Sequence, residues 1–158
     1  MIDDLVDRWQ SAWMGRDAAA FAAVCAPDVH YEDPLCQEPL EGPEAIGRHA
    51  GLLWTVFPDA RVERTGERLG DGRFLAAPAK VLGTHRGEVE GLPPSGRFVV
   101  VHVVWYCELD PERELLWRVR AFFDAYEAAI QIGILPARGT LSERALLMLR
   151  GFGLRSRS

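Results

Sequence analysis

The segment RFVVVHVVWYCEL, from Arg97 to Leu109, decides the fold class of this chain. It lies in a region after Ala60 in which apolar residues recur with a period of two, as they do along a β-strand. Stretches of turn-forming residues divide this region into four predicted strands, at Arg61–Leu69, Phe74–Arg86, Arg97–Leu109 and Glu114–Asp124. Because the connections are short enough for hairpins, we expect an antiparallel meander.

The first half of the chain has the spacing of helices. Apolar residues of segment 2–13 recur three and four positions apart, and Asp17 can cap a second, short helix. A short strand is predicted at Asp28–Asp33, and a third helix begins near Pro43 and stops at Pro58. Helices followed by a meander predict an α+β fold, in which a curved, mostly antiparallel sheet packs on the N-terminal helices and leaves a cavity between sheet and helices.

The composition excludes several classes of protein. The 158 residues fit one domain, and a formal net charge of −5 argues against non-specific nucleic-acid binding. No apolar run is long enough to cross a membrane, and the acidic start lacks the basic residues of a secretory signal, so we expect a cytoplasmic protein. Three widely spaced cysteines indicate reduced thiols.

Two polar residues, His85 and Asp124, lie in apolar segments of the predicted sheet. A carboxylate near Phe122 and Tyr126 is costly to bury unless it is hydrogen-bonded or its pKa rises. Such a carboxyl can serve first as base and then as acid, so it predicts a site for proton transfer. Asp124 also suits the N-cap of a helix that begins at Ala125, and spacing alone leaves both interpretations open.

Four motifs follow one another in an order that is informative as a set. They are GTHRG at 83–87, GLPPSGR at 91–97, Phe123-Asp124 at the end of the last strand, and QIGILP at 131–136. Together they resemble the SnoaL-like ester and polyketide cyclases of the nuclear-transport-factor-two-like superfamily. The likeness covers the chain from about the first helix to residue 136, so we divide the protein into a domain of residues 1–136 and a helical, basic extension of residues 137–158.

The resemblance implies both a fold and an activity. It implies a cone-shaped α+β barrel with a deep pocket, and a homodimer formed through the outer sheet face. Its polyketide members close rings by intramolecular aldol addition without a cofactor, and the acid–base aspartate of that reaction corresponds to Asp124. The histidine of the first motif corresponds to His85, which would assist. A tryptophan that the family often carries before this motif is replaced here by the stretch Ala79-Lys80-Val81.

Further residues are predicted to line the pocket and bind a hydrophobic small molecule. These are Tyr31, Asp33, His49, Trp54, His102, Tyr106, Arg120 and Phe122. No metal site is predicted, because the cluster of His30, Glu32 and Asp33 has no second ligand pair at a known spacing. No cofactor, nucleic acid or membrane partner is expected.

Two other functions stay open. An epoxide hydrolase would need Asp124 joined through an arginine to a second carboxylate. Arg118 and Arg120 are the candidates for that arginine. A binding or dimerisation module without chemistry would be favoured if side chains filled the cavity or if Asp124 only capped its helix. The basic extension with its apolar stripe suits a helix docked on the domain or its dimer mate better than one on a membrane surface.

Overall fold

The protein, described here from a computed structural model covering residues 2–112 and 114–149, has helices before, between and after the strands of one sheet. The helices are α1 (Ile2–Met14), a 3₁₀ helix (Ala18–Ala23), α2 (Pro43–Val56), α3 (Ala125–Ile132) and α4 (Leu141–Leu149). Two helix ends follow from particular residues. Asp17 caps the start of the 3₁₀ helix by accepting a hydrogen bond from Ala19 N–H, and Gly133 ends α3 with a left-handed φ of 91°.

Seven strands form one curved, mixed sheet in the order β2-β1-β7-β6-β5-β3, with β4 also paired to β5. Only the β1–β7 pairing among these is parallel, and the others are antiparallel. The strands are β1 (Cys25–Glu32), β2 (Leu40–Glu41), β3 (Arg61–Arg64), β4 (Leu69–Gly70), β5 (Phe74–Thr84), β6 (Phe98–Leu109) and β7 (Leu116–Phe122). The predicted α+β class is confirmed.

One predicted strand is divided in two. The strand expected at Arg61–Leu69 consists of β3 and the short β4, and both pair with β5. The ladder pairs Arg64 with Ala79 and resumes at Leu69 with Ala76, so Pro78 lies in the interval between the two strands. Because proline has no N–H to donate, this interruption of the ladder accommodates it within the sheet.

The core lies between the inner face of the sheet and the N-terminal helices. At its centre is a cluster of aromatic side chains packed mostly edge to face, with ring centroids 5.5–6.3 Å apart. Its members are Trp9, Trp13, Phe21, Tyr31 and Trp105. The small residues Ala77, Ala79 and Ala121 supply the sheet side of this core, which leaves space for the indole rings.

The C-terminal extension is described as far as residue 149. The hydroxyl of Tyr126 on α3 donates to the Glu143 carboxylate on α4 at 3.1 Å, while Leu141 and Leu149 are largely exposed. Three arginines of the basic extension, Arg150, Arg155 and Arg157, lie outside the described part of the chain. Among the described residues, no helix has both the length and the apolar character of a membrane span. The division of the chain near residue 136 stays a prediction.

Candidate functional site

A buried carboxylate lies just beyond the end of β1. Asp33 Oδ2 accepts hydrogen bonds from the Tyr31 hydroxyl at 2.9 Å and from His49 Nε2 at 2.6 Å. Asp33 Oδ1 accepts the backbone N–H groups of Leu35 and Cys36 at 2.7 and 3.1 Å. The turn that follows β1 therefore orients the carboxylate, and helix α2 supplies the imidazole that meets it.

The site is enclosed on the side of the carboxylate and reachable on the side of the imidazole. Only 4% of the Asp33 side chain is exposed, compared with 15% of the His49 side chain. The His49 ring contacts Trp13 and Tyr31, with centroids 6.4 and 5.9 Å away. Trp54 is fixed nearby, since its indole N–H donates to the Trp13 carbonyl at 2.7 Å. A small molecule that reaches His49 would thus meet aromatic walls.

The hydrogen bonds change the acidity of the groups around His49. Burial by itself raises the pKa of Asp33. The hydrogen bond and charge of His49, together with hydrogen bonds from the Leu35 N–H and the Tyr31 hydroxyl, outweigh burial and hold this pKa below its usual range. Burial, aided by the negative charge of Asp33, raises the pKa of Tyr31 well above its usual range. Asp33 is therefore an anion at neutral pH, and Tyr31 keeps its proton.

A thiol joins this group. Cys36 Sγ lies 3.8 Å from His49 Nε2, the same nitrogen that meets Asp33. Burial, with the charge of Asp33, raises the pKa of Cys36 to about 11, so the thiol is protonated at neutral pH and a poor nucleophile. Sequence reasoning did not select Cys36, because nothing in the spacing of Asp33, Cys36 and His49 shows that they meet.

Asp124 has a different position from the one the sequence predicts. Its side chain is 57% exposed, caps α3 by accepting Glu127 N–H at 2.9 Å, and forms an ion pair with Arg138 at 3.1 Å. The expectation that this carboxylate is enclosed among aromatic rings is wrong, because β7 ends at the surface where α3 begins. The N-cap interpretation is the one that the geometry matches, and a catalytic role for Asp124 stays a prediction.

His85 is fully buried and holds a hairpin together. Its Nδ1 accepts the backbone N–H of Ser95 at 3.2 Å and lies 2.9 Å from Ser95 Oγ. Its backbone N–H donates to the Arg97 carbonyl and its own carbonyl accepts the Gly96 N–H, at 2.9 Å each. Since Nδ1 accepts a hydrogen bond, the neutral ring carries its proton on Nε2, which has no partner among the described residues.

The glycines around His85 explain the rest of the GTHRG motif. A Cβ on Gly83 would lie 2.9 Å from Phe57 Cβ, and one on Gly87 would overlap the Thr55 carbonyl. Thr84 binds the Asp59 carboxylate through both its N–H and its hydroxyl, at 2.7 Å each. The motif therefore packs the end of β5 against the end of α2.

His85 and Asp124 are not close to one another. The β6–β7 ladder pairs Val104 with Phe122, so Asp124 follows at the level of His102. His102 is opposite Lys80 on β5, and His85 lies five positions further along the chain. At about 3.3 Å per residue, this is a separation of roughly 16 Å along the strands alone.

Four other predicted site residues lie on the outer face of the sheet. His102, Tyr106, Arg120 and Phe122 are exposed, whereas their strand neighbours Val103, Trp105, Val119 and Ala121 are buried. They do not line the interior, contrary to the prediction, because successive side chains of a strand point to opposite faces. A cleft of about 390 Å³ on this face is bordered by Tyr106 and Arg120, and Arg120 pairs with Glu32 at 3.0 Å.

The carboxylate–arginine–carboxylate arrangement of the epoxide hydrolase alternative does not include Asp124. Among the described residues Asp124 pairs with Arg138 alone. Such an arrangement does occur at Asp3, Arg68 and Asp7, with distances of 3.0 and 2.6 Å. Both of those aspartates are largely exposed on α1, so the arrangement anchors that helix to the sheet.

Comparison with known proteins identifies the family. The sequence model of the SnoaL-like polyketide cyclases matches residues 3–129. The chain belongs to this family. Among curated proteins, no sequence matches it significantly. The predicted resemblance is therefore confirmed.

Solved structures agree with this assignment at the level of the fold. A candidate SnoaL-like polyketide cyclase from Jannaschia sp. CCS1 is 22% identical, with a TM-score of 0.73 over 84% of this chain and 92% of that one. AclR, a candidate hydroxylase from Streptomyces galilaeus, is 18% identical, with a TM-score of 0.72 over 95% and 92%. A protein of ketosteroid isomerase-like fold from Catenulispora acidiphila is 19% identical, with a TM-score of 0.67 over 82% and 92%.

Proposed function

We propose that this SnoaL-like protein is a cofactor-independent acid–base enzyme that acts on a hydrophobic, enolisable carbonyl compound. Ring closure by aldol addition, as in a polyketide cyclase, and isomerisation both begin with loss of a proton from carbon. The observation that supports this proposal is the buried pair of Asp33 and His49 beside aromatic walls. A cytoplasmic location stays a prediction.

In the proposed mechanism, His49 transfers the proton. Its Nε2 is held by the Asp33 carboxylate, which leaves Nδ1 to take a proton from the carbon between two carbonyl groups. The resulting enolate carbon attacks a second carbonyl and forms the new carbon–carbon bond. The alkoxide then takes the proton back from the imidazolium, whose positive charge Asp33 stabilises.

The indole groups of the core are suited to bind the carbonyl oxygens. Trp9 and Trp13 have buried indole N–H groups without a partner among the described residues, and leaving such a donor unpaired costs about 1–3 kcal/mol. A substrate oxygen would satisfy one of them. Hydrogen bonds to an oxygen that becomes an enolate stabilise the transition state more than the ground state.

The proposal is tested by exchange of the acidic C–H protons of benzoylacetone for deuterium, followed by NMR. We expect the wild-type protein to catalyse exchange, H49Q to lower the rate by about 10²-fold or more, and D33N to lower it by at least about 10-fold. D124N is the matched aspartate variant and should change the rate by less than about 3-fold. Circular dichroism and thermal unfolding would confirm that each variant is folded.

Other outcomes would select another interpretation. Loss of exchange in D124N with full activity in H49Q would assign the proton transfer to Asp124. Absence of exchange in the wild-type protein, together with binding of benzoylacetone, would favour a binding module without chemistry.

We also propose that the protein forms a homodimer through the outer face of the sheet. The large apolar side chains of Val104, Tyr106 and Phe122 are 39%, 47% and 53% exposed there, and β6 and β7 place them side by side. Sedimentation should show a dimer for the wild-type protein and a monomer for F122E. The variant L52E, on an exposed position of α2, is the control and should stay dimeric.

A further inference from the structure

Three chemically different ligand groups meet beside α2. Asp33, Cys36 and His49 each offer one donor atom, and these atoms all lie within 4.8 Å of one another. Asp33 and Cys36 come from the turn after β1, whereas His49 comes from the helix. We infer that these three residues form a binding site for a thiophilic divalent cation of the Zn²⁺ class. The inference depends on the same pair as the proposed function but does not require proton transfer.

The donor set favours one class of metal. One thiol sulfur, one imidazole nitrogen and one carboxylate oxygen match the ligands of Zn²⁺ and its neighbours in the first transition series. Calcium and magnesium bind oxygen ligands almost exclusively, so this set would discriminate against them.

The distances are close to those of a tetrahedral site. With Zn–N near 2.0 Å and Zn–S near 2.3 Å, the nitrogen and sulfur of such a site are roughly 3.6 Å apart. Cys36 Sγ and His49 Nε2 are already 3.8 Å apart. Asp33 Oδ2 and His49 Nε2 are 2.6 Å apart because a proton lies between them, and a metal in place of this proton would separate them by roughly 0.7 Å more.

The groups around the ligands are arranged as in known metal sites. Asp33 Oδ1 accepts the N–H groups of Leu35 and Cys36, and the Tyr31 hydroxyl donates to Oδ2. Hydrogen bonds of this kind orient a carboxylate ligand and commonly change metal affinity by about 10–100-fold when they are lost. Three protein ligands leave a fourth position for water, and the partial exposure of His49 provides a route for entry.

Occupation of this site would also stop the proposed chemistry. The cation would take the lone pairs of His49 Nε2 and Asp33 Oδ2, and the proton that these two atoms otherwise share would be released to solvent, as would the proton of the Cys36 thiol. Because the oriented pair is then replaced by metal ligation, bound Zn²⁺ would act as an inhibitor, and Cys36 would confer sensitivity to it.

The experiment uses Co²⁺ as a spectroscopic probe on the full-length, metal-free protein. We expect one Co²⁺ per chain, with a near-ultraviolet charge-transfer band that reports a thiolate ligand. The band should be absent in C36S, and H49Q should weaken Co²⁺ binding by at least about 10-fold. The control is H30Q, which removes an exposed histidine on β1 and should bind like the wild-type protein. Absence of the band in the wild-type protein, or its persistence in C36S, would overturn the inference.

The exchange assay separates this inference from the proposed function. Zn²⁺ should inhibit benzoylacetone exchange by the wild-type protein, and C36S should stay active while its inhibition needs at least about 10-fold more Zn²⁺. Exchange without Co²⁺ binding would refute the metal site and leave the acid–base function standing. Co²⁺ binding without exchange would support the metal site and refute the acid–base function.

Discussion

Asp33 and Asp124 occupy equivalent places in the chain but different surroundings. Each lies just after a strand, and each accepts backbone N–H groups from the residues that follow it. The Asp33 side chain is 4% exposed and meets His49, whereas that of Asp124 is 57% exposed and meets Arg138. A carboxylate at the end of an apolar strand can therefore be an interior group or a surface cap.

The difference comes from what packs over each strand end. Helix α2 crosses the end of β1 and brings His49 to Asp33, 16 residues away in the sequence. Strand β7 leads directly into α3, and within the described part of the chain the side chain that reaches the Asp124 carboxylate is the guanidinium of Arg138. The enclosed carboxylate expected at Asp124 exists in the molecule, but it belongs to Asp33.

Removal of the two carboxylates should have unequal effects on stability. D33A leaves the Tyr31 hydroxyl, His49 and two backbone N–H groups without their acceptor, so we expect a loss of about 3–5 kcal/mol in the free energy of unfolding. D124A removes an exposed helix cap and should cost about 1 kcal/mol. Urea unfolding measures both values, and equal losses would contradict the contrast between the two sites.

The acid dependence of stability should identify Asp33. Because the pKa of Asp33 in the folded protein is below its ordinary value of 3.8, its ionised form stabilises the fold above that pH. This contribution is lost as the pH falls below 3.8 and through the lowered folded value. The difference in unfolding free energy between wild type and D33N should be constant from about pH 7 to about pH 5 and shrink below about pH 4. A difference that grows on acidification would contradict the assigned direction.

Two of the motifs that carry the family resemblance have structural explanations. The buried His85 and the glycines beside it join the β5–β6 hairpin to the end of α2. The Gln131 amide bonds to both the N–H and the carbonyl of Val100, at 2.8 and 2.9 Å, and so holds α3 against β6. These motifs identify the fold family because they maintain its geometry, and their chemistry-bearing side chains need not be catalytic.

The sequence predicts most of the fold but only part of the candidate site. Tyr31, Asp33, His49 and Trp54 were predicted to bind substrate, and the structure brings them together. Arg120 and Phe122 were expected in the same pocket, but the alternation of β7 turns them outward. In an apolar strand with aromatic residues on both faces, the alternation of residue types along the strand does not show which face packs against the core.

By itself, the sequence determined the order of the main helices and strands, most of the turns between them and the family, because periodicity, proline and glycine act over a few residues. Only the tertiary structure decided which carboxylate is enclosed, which face of the sheet is the inner one, and that Cys36 lies beside His49. These features depend on contacts between segments that are distant in the chain, and the local spacing of residues does not determine how such segments pack.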